Sequence, residues 1–300
     1  MSSDSAVNRM QFRSSSANRL NVGCGWNFSP NWVNVDLHRY DPSVLCIDIS
    51  RGLPFSNGRF DVVYSSHVLE HLTPLAARDL VLECLRVLAP GGIIRIVVPD
   101  LQSIVAFYLS GLERVQRSPD SSAAKALYQW GVIELLDQMT RAESGGEMAR
   151  YLSKLANLPV SARSVIVKRM GRLAKGVSKR DSDKAGVGVA RRSVLRRVIQ
   201  MNVREQIKKS VLGATDYAAL QSGRFLRAGE VHRWMYDEYS LGDLLKSAGF
   251  IDIRRKTAME SSIFDWASEN LDVDEHGEVI KPNSLFMEAR RPARQSNGEK

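Results

Sequence analysis

The sequence predicts an α/β fold in which a mostly parallel, doubly wound sheet is interrupted by a helical insertion. Three observations predict it. Short runs rich in Val and Ile, fenced by Gly, Pro and Asp, recur near both ends of the chain. A single amphipathic helical stretch separates two of these runs. From 101 to about 230 the pattern becomes helical throughout.

Taken in order, "RLNVG" (19–23), "NWVNVDL" (31–37), "SVLCIDI" (43–49), "FDVVYSS" (60–66) and "GIIRIVVP" (92–99) have the length and bounds of buried strands. "TPLAARDLVLECLRVLAPGG" (73–92) lies between the last two and reads as a helix. Thr73 is its cap and Pro74 its first residue; apolar positions 77, 80, 81, 84, 85 and 88 share one face, and Pro90-Gly91-Gly92 ends it. "SAAKALYQWGVIELLDQM" and "RRSVLRRVIQMNVREQIKKSVL" are long helical patterns, parted by a polar break, "KGVSKRDSDKAGVG" (175–188), expected to be a mobile loop. "SLGDLLKSAGF" (240–250) is a short helix with Ser240 as cap and Gly249 as terminator. "FIDIRRKTAM" and "SLFMEARR" close the sheet. The expected organisation is a tail at 1–17, a sheet domain at 18–101 and 230–290, a basic helical insertion at 102–229, and a second tail at 291–300, both tails disordered.

A hydrophobic content of 44% and a charged content of 25% are those of a chain that buries a core. Cys24, Cys46 and Cys84 are far apart and odd in number, which argues against a disulfide scaffold or a structural zinc site. No secretory signal and no run of 18 apolar residues is visible, so a cytoplasmic location is expected. The net charge of +9 is uneven: Arg141 to Glu230 holds 20 Lys and Arg against 7 Asp and Glu, a net of +13, which leaves about −4 elsewhere. That segment has three readings: a solvated helical face, a surface for anionic lipid or a lipid-linked acceptor, or a nucleic-acid surface. Nucleic acid is the least favoured, because interleaved aromatics and any nucleic-acid motif are missing.

"LNVGCGW" follows the first strand directly. Gly23 and Gly25 let the backbone turn tightly and approach a ligand. Asp36 ends the second strand and Asp48 the third, and in a doubly wound sheet ligands lie outside these carboxyl ends. An acid after the second strand can accept hydrogen bonds from both hydroxyls of a ribose. A dinucleotide is disfavoured, because Phe28 stands where its third glycine should be and Asp36 follows Gly25 by only 11 residues.

"SSHVLEHL" (65–72) has two readings. As H-x-x-E-H it is an inverted zinc-peptidase box, which needs both histidines on one stable helix. Thr73-Pro74 starts a new helix two residues after His71, so the stretch reads instead as a pocket rim, with no metal expected.

"LNVGCG", "NVDL", "CIDISRGLPF", "FDVVYSSHVLEHL", "LRVLAPGGIIRIVVPDL" and "HRWMYDEYSLGDLLKSAGF", in this order, resemble class I S-adenosylmethionine-dependent methyltransferases over 19–101 and 230–290. Within them the chain is most similar to type 11-like methyltransferases associated with bacterial surface-polysaccharide synthesis. The resemblance implies a Rossmann-like seven-stranded sheet with an antiparallel last strand, and S-adenosylmethionine as cofactor. It implies that Gly23, Cys24 and Gly25 line the methionine, with Trp26 and Asn27 near its carboxylate. Asp36 would hold the ribose, while Leu37, Asp48 and Ile49 border the adenine. Ser65, Ser66 and His67 would stand at the height of the transferred methyl. The departure is the first helix, for which "WNFSPNW" is too short.

An alcohol acceptor must lose a proton, so a base of near-neutral pKa is expected; His67 and His232 are the candidates, with Asp100 third. Arg233, Trp234 and Tyr236 form an aromatic, hydrogen-bonding rim suited to a sugar, and Tyr108 is expected to close the pocket from the insertion side. The expected activity is O-methylation of a sugar hydroxyl on a glycan or glycolipid precursor. Peripheral contact with the inner face of the membrane would accompany a lipid-linked acceptor. The alternative is a methyltransferase-like protein without catalysis that acts on anionic lipid or nucleic acid through its basic helices.

Overall fold

A computed structural model describes residues 18–171 and 191–293, with side chains from 205 onward in the second stretch. The expected tail at 1–17, the end of the second tail and the polar break at 175–188 lie outside the described residues. The strands are β1 (Arg19–Val22), β2 (Val33–Asp36), β3 (Val44–Cys46), β4 (Phe60–Ser66), β5 (Leu88–Pro99), β6 (Ile251–Lys256) and β7 (Ser284–Arg290). They form one sheet in the order β3-β2-β1-β4-β5-β7-β6, in which only β7 runs antiparallel to its neighbours. This is the Rossmann-like, seven-stranded arrangement expected from the sequence. The order reverses between β1 and β4, and the crevice outside their carboxyl ends is where such sheets take ligands.

Helix α1 (Pro74–Val87) starts as its sequence dictates, with the Thr73 hydroxyl accepting the Ala76 N–H and Pro74 at the first position. It stops at Val87 rather than at Pro90, because Leu88 already pairs with Phe60 of β4. After it come α2 (Leu101–Arg117), α3 (Ser122–Thr140), α4 (Gly146–Leu152), α5 (Val160–Met170), α6 (Arg191–Arg227) and α7 (Glu238–Ala248). Helix α6 breaks at Gly213, where φ is 76° and ψ 169°. Helix α7 begins two residues before Ser240. Its cap is Asp237, and Ser240 fills the third position of a reciprocal capping box. Gly249 ends it at φ 102°. Arg291, assigned by the sequence to the tail, is held by backbone bonds to Gly91 and Gly92.

The two faces of the sheet are covered differently. Alternate residues Val63, Ile94, Ile96 and Val98 pack under α1 and α7, with Leu80, Val81, Leu241 and Leu245. On the other face Val62, Tyr64, Ile93 and Val97 meet Trp32, Trp266, Leu271 and Phe286. No helix joins β1 to β2, and the irregular segment after β6 fills that place: Asn27 donates to the Leu271 carbonyl and Trp32 to Glu269. The face also buries Arg95, which donates to Asp272 and Glu288 at 2.7 Å each; a buried cation is tolerated only with such partners.

The insertion builds a small core of its own from Leu127, Trp130, Leu152, Ile166 and Met170. It joins the sheet domain at the loop before β7, where Asn283 donates to the Arg169 carbonyl and to Glu134. The helices therefore stand beside the carboxyl end of the sheet.

Candidate active site

The loop after β1 is fixed from two sides. The N–H groups of Gly23 and Cys24 both donate to the Val35 carbonyl of β2, and Gly25 donates to the Asp36 carboxylate at 2.9 Å. Gly23 lies at φ 67°, and a Cβ there would meet Val68 Cγ2 at 2.3 Å. Gly25, at φ 54°, has nothing within 4 Å of where its Cβ would be, so the loop faces open space. Trp26, 77% exposed, lies against Tyr40 at 4.5 Å, and Leu37 is 52% exposed beside Asp36. The Cys24 thiol is buried, and burial pushes its pKa up to about 12, so it is inert. Asp48 caps the turn Ile49–Arg51, accepting from the Ser50 N–H and hydroxyl; those bonds hold its carboxyl below the usual range. The Asn27 side chain donates to the Leu271 carbonyl at 2.7 Å.

β4 delivers Ser65, Ser66 and His67 to the same end. Ser65 is buried, and its hydroxyl has no hydrogen-bond partner among the described residues. Ser66 accepts from Lys281 at 3.3 Å. His67 holds a left-handed φ of 57°, unusual outside glycine, and its N–H is tied to the Val97 carbonyl of β5. Its Nδ1 is 3.0 Å from Glu70 Oε1, and its Nε2 is 2.9 Å from Ser284 Oγ.

Leu69–His71 is a single 3-10 turn, so the helix a zinc-peptidase box needs is absent. The turn is instead crossed by a distant segment. The Glu70 carbonyl accepts the N–H groups of Arg233 and Trp234, which sets the His232 ring 4.8 Å from that of His71, nearly perpendicular. His232 is itself bound to α3, by its N–H to the Gln138 carbonyl and by Nε2 to the Gln138 side chain. Burial alone would raise the Glu70 carboxyl, but the surrounding histidines outweigh it and bring its pKa to about 2. Burial lowers both His67 and His232, the latter to about 4, so His232 is a weak base.

The remaining sequence candidates are placed differently from one another. The Asp100 carboxylate caps α2 through the Gln102 and Ser103 N–H groups and takes Arg255 at 2.8 Å, so both its oxygens are committed. Tyr236, expected on the rim, is buried in the main core. Arg233 and Trp234 are exposed, and Arg233 donates to the Leu226 carbonyl. The Tyr108 ring is turned to Tyr128 of α3.

Residues 13–96 match the family described as "Methyltransferase domain". This segment, which spans β1 to most of β5, is thus similar to a methyltransferase domain. Among curated proteins, none matches this sequence. Among solved structures, a SAM-dependent methyltransferase from Archaeoglobus fulgidus aligns over 91% of this chain and 86% of its own, at 12% identity and a TM-score of 0.37. One from Thermotoga maritima aligns over 96% and 86%, at 10% and 0.35. Phosphoethanolamine N-methyltransferase 2 of Haemonchus contortus, solved with S-adenosyl-L-methionine, aligns over 96% of this chain but only 51% of its own, at 12% and 0.34.

The residues present suit S-adenosylmethionine, the cofactor expected from the sequence. Open space adjoins Gly25, exposed Trp26 and Leu37 flank a strand-end carboxylate, and the buried Ser65 hydroxyl lacks a partner among the described residues. The sequence did not disclose Lys281, Ser284 or Gln138. Lys281 and Ser284 lie in "VIKPNSLF", a turn-like stretch with no chemical pattern, and only the fold carries them to the end of β4.

Proposed function

We propose that this S-adenosylmethionine-dependent methyltransferase acts on a hydroxyl, that of a sugar on a glycan or glycolipid precursor. One observation carries the reading: His67 sits at the carboxyl end of β4 with Nδ1 against the buried Glu70 carboxylate. That contact favours the Nδ1–H tautomer and leaves Nε2 as the basic nitrogen, as an orienting acid does for a catalytic imidazole. Nε2 now accepts from Ser284 Oγ, and an acceptor hydroxyl would compete for the same lone pair. His67 is thus the general base, Glu70 and Ser284 position it, and His232 and Asp100 are not required as bases.

The cofactor, when bound, supplies a methyl on a sulfonium, an electrophile that needs only an aligned nucleophile. In this assignment Asp36 holds the ribose hydroxyls, Gly23, Cys24 and Gly25 pass beside the methionine, and Trp26, Leu37, Asp48 and Ile49 border the remainder. Ser65 and Ser66 stand nearest the methyl. The rest of the work is positioning, which the strand-end loops do by being fixed before substrate arrives. Exposed Trp234 and Arg233 support a polar ring as acceptor.

The test is calorimetric titration with S-adenosylmethionine and S-adenosylhomocysteine, followed by methyl-transfer assays on sugar, glycolipid and amine acceptors. Micromolar cofactor binding with transfer to hydroxyls alone supports the reading. Transfer to amines alone overturns the acceptor assignment and leaves the cofactor site standing.

A further inference from the structure

We propose that Glu70, His71 and His232 form a binding site for a divalent transition-metal ion, set at the inner end of the crevice beside His67. The proposal goes beyond methyl transfer and stands without it. The ligand atoms of the three residues lie within 4.8 Å of one another. Two ligands of one tetrahedral ion, each at roughly 2.0–2.1 Å from the metal, lie about 3.3 Å apart, so shifts of about an ångström close the set.

The second observation is the state of the ligands. Glu70 is fully buried; its Oε1 faces His67 Nδ1 at 3.0 Å, and its Oε2 has no hydrogen-bond partner among the described residues. His232 is 3% exposed, and its Nδ1 is also without a partner among the described residues. Buried polar atoms are nearly always satisfied, so two orphan atoms from residues in one cluster, Glu70 Oε2 and His232 Nδ1, call for a cause. One bound cation would satisfy the carboxylate and the imidazole at once.

The outer contacts have the form that metal-binding histidines need. His71 Nδ1 is 3.3 Å from the Val231 carbonyl, so an N–H donated there leaves Nε2 with its lone pair. His232 Nε2 is 3.1 Å from the Gln138 amide, whose oxygen can accept Nε2–H once the amide is turned, and that leaves Nδ1 for the ion. Two imidazoles and one carboxylate suit a borderline ion such as Zn²⁺, Co²⁺ or Fe²⁺ better than Mg²⁺ or Ca²⁺. His71 is only half-buried, which leaves an approach for the ion and a place for a further ligand. A hydroxyl bound there would ionise more readily, one way such an ion could assist a nearby base.

The site differs from the zinc box in the sequence. His67 and His71 do not share a helix, and the second imidazole comes from His232, across the chain. The crossing bonds from Arg233 and Trp234 to Glu70 bring it there.

The full chain is stripped with a chelator, checked by circular dichroism and titrated with Co²⁺, read from the visible ligand-field bands, then with Zn²⁺ by calorimetry. One equivalent of each is expected. His71→Ala, His232→Ala and the conservative Glu70→Gln should each weaken Zn²⁺ at least about 100-fold. Gln138→Leu, which keeps all three ligands, should weaken it about 10-fold. Absence of binding to the folded, stripped chain would overturn the proposal, as would binding unchanged by Glu70→Gln and by whichever histidine variants fold. S-adenosylmethionine titrated into the stripped protein reports on the cofactor site separately, so failure of one reading is not failure of the other.

Discussion

The Asp36 carboxylate accepts the backbone N–H of Gly25 at 2.9 Å, so the acid assigned to the ribose also fixes the loop assigned to the methionine. Its other oxygen takes the His38 N–H. Removing the carboxylate would therefore remove the proposed ribose contact and release the loop together. Asp36→Ala should weaken S-adenosylmethionine by at least about 100-fold, since charge-assisted hydrogen bonds contribute roughly 1.5–3 kcal/mol each. Asp36→Asn, which keeps an acceptor for Gly25, should lose about tenfold. Calorimetry distinguishes them, and equal affinities for Asp36→Ala and wild type would remove Asp36 from the site.

His67, the proposed base, permits a clean separation of binding from chemistry, because its φ of 57° restricts the replacement. Asparagine tolerates the left-handed region and lacks the imidazole. His67→Asn should therefore fold, bind the cofactor within about twofold of wild type, and slow single-turnover transfer by roughly 10²–10⁴-fold, the usual contribution of a general base. Unchanged transfer would disprove the base assignment.

Gly23 meets two separate demands. Its φ of 67° disfavours any side chain, and a Cβ would strike Val68 Cγ2 at 2.3 Å. Gly23→Ala should cost about 1–2 kcal/mol for the backbone and about 1–3 kcal/mol for the clash. Adding Val68→Ala relieves the clash alone, so urea unfolding of the double variant should recover part of the loss beyond the cost of Val68→Ala itself. Strict additivity of the two substitutions would mean that they do not meet.

Near its Gly213 break, α6 exposes Ile207, Val211 and Leu212 beside Lys208 and Lys209. No helix among the described residues is long and apolar enough to cross a membrane. Apolar side chains among lysines suit peripheral contact with anionic lipid, which attracts a surface cation with about 1 kcal/mol. Co-sedimentation with phosphatidylglycerol vesicles should fall with added salt and on Ile207→Glu with Val211→Glu. Equal binding to neutral vesicles would remove the lysines from the contact, and binding to neither would leave the face merely solvated.

The sheet was legible because β1 to β5 are short runs rich in Val, Ile and Leu bounded by turn residues, with only single polar residues such as Asn21, Asn34 and Arg95 inside them, and Asp36 and Asp48 mark strand ends by position alone. The α7 cap was misplaced by three residues because Asp237 and Ser240 both have capping side chains, and only the fold decides which leads. Asp100 and Tyr236 looked like site residues, since strand-end acids and clustered aromatics often are. A partner at long range, Arg255, and packing in the core take them away. The Glu70, His71 and His232 cluster was half visible. His232 is 161 positions from His71, and no spacing rule spans an insertion.

Lys281 offers a prediction in pH. Burial lowers its pKa from 10.5 to about 8, against the opposing pull of Glu70 and Asp272. Below pH 8 the folded and unfolded chains both hold the proton, and the buried charge is a constant cost. Between pH 8 and 10.5 the unfolded chain keeps a proton that the folded chain has released, so stability gains with rising pH. The full difference amounts to about 3 kcal/mol. Lys281→Met removes this titration and leaves the other groups in place. Wild type should therefore gain on the variant by up to that amount across the window, with a flat difference below pH 7.5. Urea unfolding of both proteins at intervals from pH 7 to 10.5 measures the gain. A difference that stays flat throughout would place the lysine in solvent, free of Ser66 and of the cluster beside it.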